Sequence, residues 1–426
     1  MDRETLRTKD WLDKRFTLGV KEGKYFAHQP IYGYKKGFTE GRDIIRYARI
    51  LSILQKLSNL QFDNFVDIGG AEGYAANLVK KIFNVDSYTS DLSFEANLRA
   101  RELFGIDSVG LDVCNLPFKD ESFDVVLCSE VIEHVSKPAQ TLYELKRIAR
   151  KALLITTEAI CYSKGERKLR MLLVNLKEPH ADRNWYIADD FMEILGKEIC
   201  LENTIADTDF TDKKNPSITE VKNILNKTSR TSSFSQKGLG ASISLIKDRS
   251  SIRKAPSTDS YKLVDLLLNS VVNLEYSPKK TNNEFSDKLT EFLMCPKCGK
   301  SIKKIKSEYF ACVACEARYK IEKGIPLLYT HEEDIQFLSK KWENIYRKHF
   351  NDYGRIMRLV RLFQHTRIRQ NIFIRILATR LLKINKCLNN CKTVLNNGTL
   401  KDLIFYILQR IYRKGKKEIK RFVPSL

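Results

Sequence analysis

FVDIGGAEGYAANL, from Phe65 to Leu78, places a short apolar run, an acid, three glycines and the start of a helical pattern in one stretch. The run from Phe65 to Gly69 has the length and apolarity of a buried parallel strand. The segment YAANLVKKIF that follows has helical spacing. In open α/β sheets a turn at the carboxyl end of a strand is where ligands bind. Two phosphate-binding fingerprints fail here. A dinucleotide turn needs G-x-G-x-x-G, whereas the order is Gly69, Gly70, Ala71, Glu72, Gly73. A P-loop needs a Lys followed by Ser or Thr, and none follows. Glu72, inside the turn, would also repel a pyrophosphate. The turn therefore predicts a ligand with polar ends and no phosphate.

Working outward, strand and helix patterns alternate. VDSYTSD is a second strand ending at Asp91, FEANLRARELF a helix, SVGLDV a third strand, FDVVLCSEV a fourth, AQTLYELKRIARK a helix and ALLITTE a fifth strand. That alternation predicts an α/β fold with a doubly wound, mostly parallel sheet. EICLENTIA and GASISLIKD are expected to complete it as a strand pair, for seven strands. Between them, DKKNPSITEVKNILNKTSRTSSFSQKG has the Ser-, Thr- and Lys-rich composition of a loop.

Four segments in this order resemble the motifs of class I S-adenosylmethionine-dependent methyltransferases of the type 11-like, Rossmann-like kind. They are the glycine turn, TSDLS, LDVCNLPFKDESFD and VVLCSEVIEHV. The resemblance covers roughly residues 60–160. Ala71, where the family usually has glycine, is the departure, and it implies a slightly altered turn. The resemblance implies S-adenosyl-L-methionine as cofactor. Asp67, Gly69, Ala71 and Gly73 would lie at its methionine end. Asp91 would accept the ribose hydroxyls, and Asp112 with the amide of Val113 would read the adenine. Glu130 would lie beside the methyl.

SEVIEHVSKP, at the end of strand four, supplies Glu130, Glu133 and His134, and KEPHADRNWY supplies His180. These four are the candidate catalytic groups, because an oxygen or nitrogen acceptor benefits from a base titrating near neutrality. Two carboxylates and two imidazoles also suit a divalent metal at the active site. The pattern is similar to metal-dependent methyltransferases of small-RNA ends and to ubiquinone-pathway O-methyltransferases.

Cys295 and Cys298 are spaced C-x-x-C, as are Cys312 and Cys315, with Pro296 and Gly299 at the tight turns. Two such knuckles predict a closed, structural tetrathiolate zinc site. The segment to GIPLLY resembles the zinc-ribbon proteins that activate tRNA, rRNA and release-factor methyltransferases, fused here into one chain.

The chain has 426 residues, is 43% hydrophobic and 30% charged, and carries a formal net charge of +22. It is too long for one core. From Gly354 onward eighteen Lys or Arg stand against two acids, so +16 of that charge lies in the tail. Basic amphipathic spacing there predicts helices that meet an anionic membrane surface or RNA. No apolar run is long enough for a transmembrane segment. The charged start lacks a signal-peptide core, and a cytoplasmic protein, peripheral on the membrane through its tail, is expected. The expected organisation is an N-terminal helical, substrate-covering segment (1–58), the methyltransferase domain (59–248) and a linker with one short helix (249–286). The zinc ribbon (287–330) and the basic helical region (331–426) follow. The expected function is methylation of a small molecule or glycan near a membrane surface. Alternatives are an RNA methyltransferase and a non-catalytic cofactor-binding scaffold.

Overall fold

The computed structural model describes residues 1–17, 20–21, 24–25, 43–161, 163–174, 178–205, 216–231, 240–272 and 285–335. The basic tail beyond Ile335, with its expected helices, lies outside the described residues. Strands β1 (Asn64–Ile68), β2 (Asp86–Asp91), β3 (Ser108–Gly110), β4 (Phe123–Ser129) and β5 (Ala149–Thr157) are followed by β6 (Cys200–Ile205), β7 (Ser229–Thr231) and β8 (Ala241–Ile246). They form one sheet in the order β3-β2-β1-β4-β5-β8-β6-β7. The five strands from β3 to β5 are parallel, and β8, β6 and β7 run antiparallel to their neighbours.

The sheet thus has eight strands, not seven. The extra strand and helix α8 (Ile218–Asn226) both come from the segment whose composition suggested a loop. Its helix starts on a capping box, in which Ser217 and Glu220 satisfy each other's backbone amides. Val221 and Leu225 then bury one turn apart.

Successive strand residues face opposite sides. Phe65, Val125, Leu127 and Leu154 enter one core, under α2 (Asp43–Ser58), α3 (Tyr74–Phe83), α8 and α9 (Ser260–Val272). Val66, Val126, Cys128 and Ile155 enter the other. That core holds α5 (Pro138–Ile148) and α7 (Ala188–Leu195), and also Phe285, Leu289, Phe310 and Tyr319 from the C-terminal module. Helix α9, expected in a linker, is instead part of the first core through Leu263, Val264, Leu267 and Leu268.

The cysteine-bearing segment forms an antiparallel sheet of β9 (Ile302–Ile305), β10 (Tyr309–Cys312), β11 (Arg318–Glu322) and β12 (Ile325–Pro326). It docks against β3, the edge strand of the large sheet. The Leu328 amide donates to the Gly110 carbonyl at 2.8 Å, and Gly110 bridges Leu327 in parallel. A Cβ on Gly110 would come within 2.6 Å of the Tyr329 hydroxyl, so only glycine admits this approach. Asn115 Nδ2 donates to the Pro296 carbonyl at 2.9 Å, inside the first knuckle. An edge strand that would otherwise expose unpaired backbone is thereby covered. Among the described residues, no helix is long and apolar enough to cross a membrane.

Leu267 is fully buried between α9 and its neighbours. Leu267→Ala is expected to cost about 2–5 kcal/mol, read as a lower urea midpoint with unchanged cofactor-cleft chemistry. A residue in a mere tether would leave the midpoint where it was.

Candidate functional site

The parallel register brings the carboxyl ends of β1, β2 and β4 together: Asp67 lies beside Thr89 on β2 and Leu127 on β4, and Asp91 beside Gly110 on β3. A cleft of about 920 Å³, measured out to its solvent mouth, opens over these ends. Its walls include Gly69, Ala71, Asp91, Asp112, Val113 and Glu130, six of the expected cofactor residues.

The glycine turn is shaped by close approach. A Cβ on Gly70 would meet Thr89 Oγ1 at 2.3 Å and Asp67 Oδ2 at 2.7 Å. Gly69 and Gly73 sit at φ +78° and +74°. Ala71 adopts φ +49°, a left-handed conformation normally left to glycine. Ala71 thus carries a strain that a glycine at this position would avoid. What holds it there is Asp91, whose Oδ2 accepts from the Ala71 amide at 3.0 Å. Asp91 Oδ1 accepts from the Ser93 amide at 2.9 Å, and Ser93 in turn caps α4 (Phe94–Phe104). Burial pushes the Asp67 carboxyl up to about 7, and the neighbouring Asp91 adds to the effect. Burial likewise raises Asp91 to about 6 against the Ser93 and Ala71 amides. Asp112 is raised by burial against the amide of Cys114, which donates to its Oδ1 at 2.9 Å.

At the other end of the cleft lie the four candidate catalytic groups. Glu130 follows β4 with φ +56°, a strained position for a side-chain residue. Its Oε2 accepts from the Glu158 amide at 3.1 Å and faces Arg49 Nη1 at 3.4 Å. Arg49, from α2, also pairs with Glu158. Glu133 is buried and accepts from Thr157 Oγ1 at 3.0 Å. Burial, then the Glu130 charge, raise its carboxyl well above the usual range.

His134 Nδ1 lies 3.1 Å from the Ala181 carbonyl. A carbonyl only accepts, so Nδ1 carries the proton and Nε2 keeps its lone pair. Nε2 is 4.0 Å from Glu133 Oε1. Burial lowers the His134 pKa, the Ala181 bond and the Asp182 charge oppose this, and the ring is neutral near pH 7. His180 lies against His134 with centroids 3.7 Å apart and planes tilted by 31°, and Trp11 of α1 (Arg3–Phe16) stacks on His180 at 5.3 Å.

The four candidate catalytic groups are not among the sets of described residues placed to hold a metal, contrary to the divalent-metal expectation. Among the described residues, the one group of three or more His, Cys, Asp or Glu placed to hold a metal is Cys295, Cys298, Cys312 and Cys315. Their Sγ atoms all lie within 4.8 Å of one another. Cys295 is 3.6 Å from Cys315, and Cys298 is 3.5 Å from Cys312. Tetrahedral Zn–S bonds of about 2.3 Å require sulfurs about 3.8 Å apart, so the set fits that ion. The amides of Ala314 and Cys315 point at Cys312 Sγ from 3.4 and 3.5 Å.

Several groups around the cleft lie outside the expected site residues. Helix α1 forms a wall through Thr5, Thr8, Leu12 and Phe16. It is tied down by Glu4 on Arg183 at 2.9 Å and by Asp13 on Ser93 Oγ at 2.6 Å. Arg49 and Thr157 hold the two glutamates. Each reaches the site from an element distant in sequence.

Residues 66–154 match the family model for a methyltransferase domain. An uncharacterized protein of Methanocaldococcus jannaschii is 32% identical over 115 residues, 27% of this chain and 48% of that protein, so the chain spans about half the length of the curated relative it matches. An S-adenosylmethionine-dependent methyltransferase from Thermotoga maritima is similar at 19% identity over 48% of this chain and 92% of its own, with a TM-score of 0.35. A chain from the Haloferax volcanii complex of a methyltransferase activator and a methyltransferase is similar at 16% identity over 49% of this chain and 98% of its own, with a TM-score of 0.33.

Replacing Ala71 by glycine removes a left-handed penalty of about 1–2 kcal/mol and adds about 0.5–1 kcal/mol of chain entropy lost on folding. Ala71→Gly is expected to raise the melting temperature by a few degrees in thermal denaturation. A lower melting temperature would show that the turn relaxes in solution.

Proposed function

We propose that the chain transfers a methyl group from S-adenosylmethionine to an oxygen or nitrogen acceptor, with His134 as the base. The observation that carries this reading is the cleft: a glycine turn and two acids at one end, and an imidazole with a fixed tautomer at the other. Gly69–Gly73 and Asp67 would hold the methionine end, Asp91 the ribose, and Asp112 with Val113 the adenine. When bound, the cofactor supplies an electrophilic sulfonium methyl, transferred as a carbon–sulfur bond breaks and a carbon–oxygen or carbon–nitrogen bond forms. His134 Nε2 takes the acceptor's proton, and Asp182 and Glu158 favour the imidazolium that results, against Arg183. The Ala181 carbonyl keeps Nδ1 protonated throughout. Glu133 and His180 position the ring. Arg49 offsets the charge of Glu130 beside the methyl end.

The acceptor we favour is a small molecule or the end of a glycan, because α1 walls the cleft and narrows the approach. An RNA acceptor is the second reading, favoured by the charge of the chain. Contact with an anionic membrane surface would fall to the basic tail.

Cofactor binding, measured by calorimetry with S-adenosylhomocysteine, tests the first step. Wild type should bind and Gly69→Arg should not, since even a Cβ there would meet Val131 Cγ2 at 2.4 Å. Absence of binding by wild type would leave the scaffold reading. For the base, His134→Gln should lower kcat by roughly 10²- to 10⁴-fold with cofactor affinity unchanged. The wild-type rate should fall as pH drops through the depressed histidine pKa, below the ordinary value near 6.5. A pH profile unchanged by His134→Gln would remove His134 from the role.

We also infer one structural zinc on the four cysteines, a closed site with no open coordination position. Metal analysis of protein purified under reducing, chelator-free conditions should give about one zinc per chain. Because this module shares the second core, chelation should lower the melting temperature of the whole described fold. A stoichiometry near zero would overturn the assignment.

A further inference from the structure

The C-terminal four-stranded sheet has one dry and one wet face. Ile302, Phe310, Tyr319 and Ile321 point into the shared core. The residues between them point outward, and the register places them in two rows across three strands. Lys303 pairs with Ala311 and Ala311 with Arg318. In the next row Ile305 pairs with Tyr309 and Tyr309 with Lys320. Tyr309 therefore sits in the middle strand between Ile305 and Lys320, with Lys303 and Arg318 in the adjacent row.

The Arg318 guanidinium lies over the Tyr309 ring, 5.1 Å from its centroid. Lys303, Arg318 and Lys320 are exposed, as are Lys300, Lys306 and Lys323 at the rims. From Cys295 to Lys323 eight Lys or Arg stand against three Glu. One of those acids, Glu322, pairs with Lys320 at 2.9 Å, an exposed contact worth little in water. A stripe of cations around a π surface on an open sheet face is the chemistry that binds unpaired bases and their phosphates. The ring and guanidinium stack a base, and the lysines meet the backbone. An apolar partner would need a continuous apolar patch, whereas the two outward rows carry Ile305 as their one large aliphatic side chain, and Val313, the other exposed one in the module, lies past the end of β10.

We propose that this outer face is a binding platform for single-stranded RNA, centred on Tyr309 and Arg318. RNA is the source because unpaired bases are a standing feature of its loops and ends. The platform goes beyond the methyl-transfer reading and does not depend on it.

The test is fluorescence anisotropy of the full chain with an unstructured 12-nucleotide RNA across a salt series. The basic tail contributes affinity that is blind to the ring, so the readout is ring dependence. Tyr309→Leu should weaken binding about tenfold, the loss of one stacked base, and Tyr309→Phe should stay near wild type. The pair Lys303→Glu and Lys320→Glu should reduce the slope of log affinity against log salt by about 1.4, two phosphates on a single strand. These side chains are on the surface, and unchanged melting temperatures will confirm folding. A photoactivatable thiouridine RNA should crosslink to the peptide containing Tyr309. Equal affinity and slope for all four proteins would overturn the proposal. So would loss of sedimentation with anionic phosphatidylserine vesicles in Tyr309→Leu while RNA binding stays intact.

Discussion

Two buried carboxylates sit together at the strand ends, Asp91 in the wall of the cleft and Asp67 behind the glycine turn, and the site is organised around that fact. Asp67 and Asp91 end neighbouring parallel strands, and burial makes each hard to ionise. Asp91 is kept in place by two backbone amides, one from the glycine turn and one from the cap of α4. Those same bonds hold Ala71 in its left-handed conformation. The acid therefore does two jobs, fixing the turn and presenting negative charge to the cleft. Buried acids with raised folded pKa values bind more protons than the unfolded chain does between about pH 4 and 7. They stabilise the protein least above that window. A ligand bearing positive charge reverses this, because it favours the ionised pair.

A second constraint is the edge of the sheet. Strand β3 has only three residues and ends at Gly110, next to the segment that carries Asp112 and Val113. Left open, it would expose backbone beside the part of the cleft that Asp112 and Val113 line. The cysteine module covers it with backbone pairing and with side chains that join the second core. Tyr329 then reaches the Leu92 carbonyl at 2.7 Å, one residue beyond Asp91. The module is thus continuous in packing with the strand ends that form the cleft.

The sequence made the centre of this architecture legible and the periphery obscure, for physical reasons. The strand, turn and helix from Phe65 to Phe83 are local patterns, and so is the spacing of the four cysteines. Val221 and Leu225 needed attention to a local pattern too, because Ser217 and Glu220 spell a capping box inside a polar composition. The role of α9 was not local: its apolar spacing shows a helix, but its partners lie on α2 and α8. Arg49 and Trp11 likewise act across the chain, one on Glu130 and the other on His180. No spacing rule links such pairs, and only the fold brings them together.

Helix α1 shows how these layers meet. It touches the loop after β5 through Glu4 on Arg183 and through Thr8 Oγ1 on the Pro179 carbonyl at 2.5 Å. It touches the cap of α4 through Asp13, and the cysteine module through Lys9, which lies over Tyr329 at 5.5 Å. Only Leu12 and Phe16 bury substantial apolar surface, in a small cluster with Ala71 and Ala96. Exposed ion pairs and single hydrogen bonds contribute about 0.5–1.5 kcal/mol each. Two buried apolar side chains add about 1.5–3 kcal/mol apiece. Trp11 packs against the same cluster. These contacts reach three separate parts of the fold, so α1 is placed only by the segment before α7, the cap of α4 and the cysteine module together, and the wall it gives the cleft is a product of all three.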